Sequence, residues 1–419
     1  MLTRTIAFNG SAFAVFKKFY GRRGLFFLDS SQPGQEGRFS YLGFDPFDTI
    51  TGKDLHKLKQ TFQKHRIAGR SILSGGAVGY LGYDGRIFFG LYDQIIAFDH
   101  ERGTMTVTAR TERHLREVIS VLQEGPIHVP VLSPLNRDLQ FNSNFSRSAY
   151  VRAVKKALDH IRRGDIYQIN LSRRVELNLP HWQRHASAAM IYGVLRDCSP
   201  SPFAAYFDDG RQVILSSSPE RFVKLTGRRV QVKPMKGTRP RGTTKMQDAR
   251  LKKDLLQSPK EIAELLMVTD LERNDLGRVC AYGSIKVAQM RAIETYQTVF
   301  QATATIEGTL RKDCDEFDVL EAAFPSGSVT GCPKIEAMNI IRQLEGASRG
   351  LYTGALGYIS FTGHMDFAVL IRTLFLQKDK ISFHVGGGIV ADSDPQAEYE
   401  ETCVKARAME ETLRQVFGA

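Results

Sequence analysis

The sequence predicts an α+β protein, built as two lobes or as one large body of two sheets. Three observations carry that prediction. The 419 residues exceed the ~250–300 at which a single hydrophobic core stops growing. The first third reads as short strands broken by turns. Amphipathic helices follow, without the regular strand–helix–strand alternation that marks a parallel sheet. Apolar residues make up 42% of the chain and charged residues 24%, enough apolar surface to exclude a disordered protein.

Taken in order, Leu25 to Leu28 and Ser40 to Leu42 are strand-like, separated by the turn-rich Gln32-Pro33-Gly34-Gln35. Gly75 to Tyr83 reads as a strand whose small residues let another backbone approach closely. Residues ~125 to 145 carry Pro126, Pro130 and Pro134 with little periodicity and predict a linker. It divides a β-rich amino-terminal part, 1–140, from a core over 146–411. Tyr150, Val154, Leu158 and Ile161 recur at helical spacing, with Ser146 or Ser148 as cap and Gly164 as stop. Tyr167 to Leu171 follows as a strand. Ser258-Pro259-Lys260-Glu261 opens a second helix by its capping Ser, first-turn Pro and Glu. The expected buried stripe of that helix is Ile262, Leu265, Leu266 and Thr269, with Glu261 and Glu264 on the opposite side. A third helix opens at Asp394-Pro395 and stacks Glu398, Glu401 and Lys405 on one face.

No stretch approaches the ~18 apolar residues of a membrane span, and the start lacks a clean apolar core before a cleavage site. The five cysteines, Cys198, Cys280, Cys314, Cys332 and Cys403, form no CxxC and no zinc pattern. Reduced thiols in a cytoplasmic protein are expected. The net charge is +12, and the window from Arg221 to Lys260 alone sets 13 basic residues against Asp248 and Asp254. Such a window draws either nucleic acid or a small polyanion. No aromatic follows Phe222 within it, and no nucleic-acid-binding motif accompanies it, so a small anion is expected and nucleic acid is not.

Two glycine motifs fail on inspection. Gly386-Gly387-Gly388-Ile389-Val390-Ala391 has dinucleotide-type spacing, but the turn Asp392-Ser393-Asp394-Pro395 stands where a helix is needed. Gly237 to Gly242 has phosphate-loop spacing, but Thr243-Thr244 stand where Lys followed by Ser or Thr is required. What remains is two carboxylate pairs on helices, Glu261/Glu264 and Glu398/Glu401. Aimed at one cleft, they are suited to Mg²⁺, which takes few carboxylates and leaves positions for substrate oxygens.

Six ordered blocks bring those pairs together. Gly164 to Leu171, Ser217-Ser218-Pro219-Glu220 and Pro234-Met235-Lys236-Gly237-Thr238-Arg239-Pro240-Arg241-Gly242 resemble the chorismate-utilising enzymes. So do Asp270 to Leu276, Gly327-Ser328-Val329-Thr330-Gly331-Cys332-Pro333-Lys334, and Gly386 to Lys405. Leu28-Asp29-Ser30 and Gly75 to Tyr83 extend the likeness toward the amino terminus. The family includes anthranilate synthase component I, isochorismate synthase and aminodeoxychorismate synthase component I. The resemblance implies two large β-sheets packed face to face with helices outside.

The resemblance also implies roles. Glu264 and Glu401 would bind Mg²⁺, with Glu261 and Glu398 holding its waters. Lys236, where anthranilate synthases usually carry Ala, resembles the lysine nucleophile of the aminodeoxychorismate synthases. Tyr167 to Leu171 and Gly327 to Gly331 are similar to that type as well. Lys236 would attack ring carbon 2, Glu220 would protonate the departing 4-hydroxyl, and ammonia would then displace the lysine. Burial and the basic window are expected to lower the Lys236 pKa. Arg372, Tyr352, Lys405 and the N–H groups of Gly386, Gly387 and Gly388 would hold the enolpyruvyl carboxylate, and Thr238 the ring carboxylate. Gln301 and Leu265 replace histidines frequent in relatives, and Cys332 a common Ala. The chain carries no glutaminase segment, so its expected partner is a glutamine amidotransferase subunit that supplies ammonia. Anthranilate synthase component I is the alternative, and isochorismate synthase comes third.

Overall fold

The structure, a computed structural model, describes residues 1–32, 36–69, 71–125, 139–179, 184–296 and 299–418. Most of the turn at Gln32 to Gln35 and of the proline-rich stretch, 126–138, lies outside the described residues. Among the described residues, twelve strands form one sheet and ten form a second. The first runs from Leu2–Ala7 at one edge to Gln168–Asn178 and the short Gly331–Cys332 at the other. The second runs from Met235–Pro240 to Asp48–Gly52. Strands before residue 140 extend both sheets: Phe26–Asp29 pairs with Phe203–Asp208, and Gly76–Leu81 with Ala355–Ser360.

Alternation along the strands builds the layers. Phe26, Tyr41, Phe207 and Ile214 of the first sheet meet Val78, Tyr80, Leu356 and Tyr358 of the second in one apolar layer between the sheets. Their neighbours Phe27, Leu42, Tyr206 and Leu215 point the other way and pack under helices Ala12–Lys18 and Pro395–Phe417. On the far side of the second sheet, Ala77, Leu81 and Ile359 pack with Leu58 and Phe62 of helix His56–Gln63. Each fully buried aromatic or Leu of this kind stabilises the fold by roughly 1.5–3 kcal/mol. The result is the predicted two-sheet body with helices outside. No helix among the described residues is long and apolar enough to cross a membrane.

Local chemistry sets the helix ends as read from the sequence. Ser146 caps Arg147–Arg162, Ser258 caps Pro259–Gly277, and Asp394 caps Pro395–Phe417. One expectation is corrected. On Pro259–Gly277, Leu265 and Thr269 are buried, but Ile262 is 38% and Leu266 50% exposed. The buried face carries Glu264, Glu272 and Asp275 instead. This helix therefore turns carboxylates inward, which is stable only where cations and hydrogen-bond donors meet them.

Between the sheets lies a cavity of about 310 Å³, lined by Tyr41, Tyr358 and the buried ion pair of Arg221 with Asp366, among others. It is lined by Leu28, Asp29 and Ser30 but by none of the catalytic, substrate-binding or metal-binding candidates.

Candidate active site

Lys236 lies on the strand Met235–Pro240, where Gly237 interrupts the register with Val299–Thr309. Gly237 has φ +82°, and a side chain there would put Cβ 2.5 Å from Glu261 Oε2 and 2.8 Å from Leu255 Cδ1. The bulge thus needs glycine for both backbone and space. Gly237→Ala is expected to destabilise the fold by about 1–3 kcal/mol, read as a lowered urea midpoint.

A second strand pair supplies the opposite wall. Gln168–Asn178 pairs with Lys380–Ile389 up to Ile169 and Ile389. On its other edge, Lys380–Ile389 pairs with Thr373–Gln377 only over residues 380–382. The edge beyond is open at Gly386, Gly387 and Gly388. Added side chains there show what the glycines admit. A Cβ at Gly388 would lie 3.3 Å from Lys236 Nζ and 2.8 Å from Gln168 Nε2. One at Gly387 would lie 3.2 Å from Glu398 Oε2 and 3.4 Å from Glu401 Oε1. Glycines therefore let the lysine and both carboxylates close on the sheet backbone, and the run belongs to a strand rather than to a dinucleotide turn.

The two carboxylate helices converge on this point. Lys260 Nζ lies 3.9 Å from Glu264 Oε1 and 3.8 Å from Glu398 Oε1, an ammonium shared between helices. Glu398 also accepts a 2.6 Å bond from Ser393 Oγ. Burial raises the Glu264 pKa; Lys236 and Lys260 oppose that rise, while Glu261 and Glu398 add to it. Burial also raises Glu398, against its Ser393 bond, and Glu401 adds repulsion. For Glu401 the desolvation is outweighed by Lys405, 2.6 Å away, so this carboxyl sits below its ordinary value. Lys405 also donates to the Gly386 carbonyl at 2.9 Å. Glu261 turns to Arg239 at 3.2 Å. Among the described residues no three His, Cys, Asp or Glu side chains close around a point as a ready-made metal cage. Mg²⁺ does not require one. Mutually repelling carboxylates, the room left by Gly387 and the lysine ammonium between the helices fit a divalent cation.

Lys236 Nζ donates to the Ser328 carbonyl at 3.3 Å. Its pKa is lowered by burial, against Glu264 and Glu220, with Lys405 helping. The expectation that the basic window as a whole would lower it is corrected. Lys233 pairs with Glu36 and Glu294, Arg239 with Asp254, Arg241 with Asp248 and Arg221 with Asp366. Those charges are already neutralised locally. Glu220 is 3% exposed and Oε1 has no partner. Burial, opposed by Ser328 and Lys236 and aided by Glu272, pushes it up to about 7, so it can hold a proton near neutrality.

Arg372 sits before the strand Thr373–Gln377 with φ +49°, a costly backbone for a non-glycine residue that clusters at functional sites. Burial lowers its pKa, opposed by Tyr296 and Glu220. No carboxylate pairs with this desolvated guanidinium among the described residues. Tyr352 is buried and stacks on His384 at 4.8 Å, whose own pKa burial pushes down to about 3. Thr238 lies past the bulge and is exposed; no hydrogen bond of its side chain joins it to the cluster among the described residues. Gln301 is buried with Oε1 unpartnered, and Leu265 is buried in an apolar cluster with Phe300.

Sequence reasoning did not single out Gln168, Lys260, Glu272, Ser326 or Ser328. All but Lys260 and Ser326 lie inside the family-like blocks. The buried ion pair of Arg349 with Glu345 also went unread. Its guanidinium bonds the Asn170 and Val329 carbonyls at 2.7 and 2.8 Å and so ties two of those blocks together.

Comparison with known proteins follows the same residues. Residues 25–411 match the family model of chorismate binding enzymes. The chain is 36% identical to anthranilate synthase component 1 of Thermus thermophilus, over 92% of this chain and 91% of that protein. It is 32% identical to aminodeoxychorismate synthase component 1 of Bacillus subtilis, over 90% and 89%. The crystal structure of anthranilate synthase component I from Streptococcus pneumoniae superposes with a TM-score of 0.78 at 30% identity, covering 90% of this chain and 93% of that one. With the carboxylate helices and the glycine strand meeting at Lys236, the chain belongs to the chorismate-binding enzymes, as a chorismate-utilising enzyme of the anthranilate and aminodeoxychorismate synthase type.

Proposed function

We propose that the chain aminates chorismate at ring carbon 4 and keeps the enolpyruvyl group, the reaction of an aminodeoxychorismate synthase component I. The observation that carries this reading is Lys236: a desolvated amine held on a glycine bulge between Glu220 and Glu264. A lysine there is a nucleophile once neutral, and burial favours its neutral form.

Chorismate is a dianion whose 4-hydroxyl is a poor leaving group. Arg372 would take the enolpyruvyl carboxylate through two parallel hydrogen bonds, with Tyr352, Lys405 and the Gly386 to Gly388 backbone beside it. Thr238 is the proposed donor to the ring carboxylate. Lys236 Nζ forms a bond to ring carbon 2 as the 4-hydroxyl leaves, and Glu220 gives that hydroxyl its proton, releasing water. Ammonia then bonds to carbon 4, sheds a proton, and the carbon 2–lysine bond breaks. Glu264 and Glu401 would hold Mg²⁺, with Glu261 and Glu398 behind them. The ion would supply charge stabilisation at the ring carboxylate. Ammonia is proposed to come from a glutamine amidotransferase subunit, in keeping with relatives named as component 1.

Anthranilate synthase component I is the second reading, favoured by the similarity to the Thermus and Streptococcus proteins. Intact-mass spectrometry of the protein with chorismate and Mg²⁺ but no ammonia discriminates. A covalent adduct mapped to Lys236 is expected; an unmodified Lys236 under these conditions counts against the lysine route.

A further inference from the structure

Among the buried carboxyls that the mechanism leaves unused, Glu272 lies beside Glu220. Glu272, on the helix Pro259–Gly277, is 1% exposed. Its Oε1 accepts from Ser326 Oγ at 2.9 Å and from the Gly327 N–H at 2.8 Å, while Oε2 has no partner. Ser326 Oγ lies 3.0 Å from Ser328 Oγ, and either hydroxyl can be the donor. The Ser328 side chain lies next to Glu220 and steadies its charged form. A hydrogen-bonded buried path therefore runs Glu272–Ser326–Ser328 and ends beside Glu220. The same short turn presents the Ser328 carbonyl to Lys236.

We infer that Glu272 is a positioning residue for proton transfer, exchanging a proton with Glu220 through the Ser326 and Ser328 hydroxyls. The inference rests on Glu220 being the acid of the reaction proposed above. Once Glu220 has protonated the leaving hydroxyl, it is a carboxylate shut away from water. With both serine hydroxyls turned toward Glu220, Glu272 then passes a proton from Oε1 to Ser326 Oγ, Ser326 passes its own to Ser328 Oγ, and Ser328 passes its own to Glu220. Three O–H bonds break, three form, and the negative charge moves from Glu220 to Glu272. The proton that ammonia sheds on becoming an amine restores the count.

The surroundings suit this exchange. Glu220 faces Lys236, Arg372 and Glu272; Glu272 faces Glu220, Lys334 and Asp275, the last two paired with each other. Burial pushes Glu272 up, against Lys334 and with Asp275, to about 7, matching Glu220. Matched proton affinities are what a reversible relay needs.

Glu272→Gln keeps the acceptor for Ser326 and Gly327 but removes the proton and the charge. It is expected to lower kcat about tenfold with KM for chorismate unchanged. Loss of the repelling charge lowers the Glu220 pKa. The alkaline limb of the kcat profile, where Glu220 loses its proton, should therefore move to lower pH by about half to one unit. Ser326→Ala, which cuts the path without touching a charge, is expected to lower kcat and raise the solvent deuterium isotope effect. Glu220→Gln combined with Glu272→Gln should be no slower than Glu220→Gln alone, since residues acting as one unit are not additive. An alkaline limb that stays put in Glu272→Gln, or additive losses in the double variant, overturns the relay. Near wild-type turnover by Glu220→Gln overturns the acid assignment itself, a separate failure.

Discussion

Lys236→Ala is expected to lower kcat for chorismate amination by on the order of a thousandfold, about 4 kcal/mol of transition-state stabilisation. KM for chorismate should hardly change, because Arg372 and the glycine strand, not the lysine, hold the substrate carboxylates in this account. The fold should survive. Lys236 makes one 3.3 Å bond, to the Ser328 carbonyl, and gains little from a site that desolvates it. Glu220, the metal site and bound geometry remain, so direct addition of ammonia at high ammonium should leave slow turnover. Steady-state kinetics with ammonium checks this; wild-type kcat in the variant would remove the lysine from the mechanism.

Glu401→Gln should have a loss of similar rank, visible as a changed Mg²⁺ dependence. The Mg²⁺ concentration for half-maximal rate is expected to rise at least ~10-fold, with kcat lowered on the order of a hundredfold. Stability should be nearly unaffected. The Glu401–Lys405 pair is about half exposed on both sides, and pairs of that kind contribute about 0–1 kcal/mol. A Mg²⁺ titration followed by initial rates distinguishes this from a general loss of activity. Near wild-type rates at limiting Mg²⁺ would show that Glu401 is not a ligand.

The sequence made the helix starts readable because their chemistry is local: Ser146, Ser258 and Asp394 each cap the helix that follows. The layered sheets were legible only through the family-like blocks, since antiparallel pairs such as Gly76–Leu81 with Ala355–Ser360 join residues far apart in the chain. The inward face of Pro259–Gly277 was misread for a physical reason. Apolar periodicity favours Ile262 and Leu266, but partners from other elements reverse the preference. Lys236 meets Glu264, and Ser326 with the Gly327 N–H meets Glu272. The basic window was misjudged likewise, because its carboxylate partners Glu36, Glu294 and Asp366 lie outside it in sequence. Lys236 itself was legible from one substitution inside a motif. Its desolvation and its nearness to Gly388 required the fold.

The proposed reaction aminates chorismate and keeps its enolpyruvyl group. The direct measurement is pyruvate release, coupled to lactate dehydrogenase, from the purified protein with chorismate, ammonium and Mg²⁺, with the aminated product quantified by mass in the same reaction. An aminated product that retains the enolpyruvyl mass is expected, with no pyruvate formed. Pyruvate appearing in equal amount with anthranilate would contradict it and make this chain an anthranilate synthase component I.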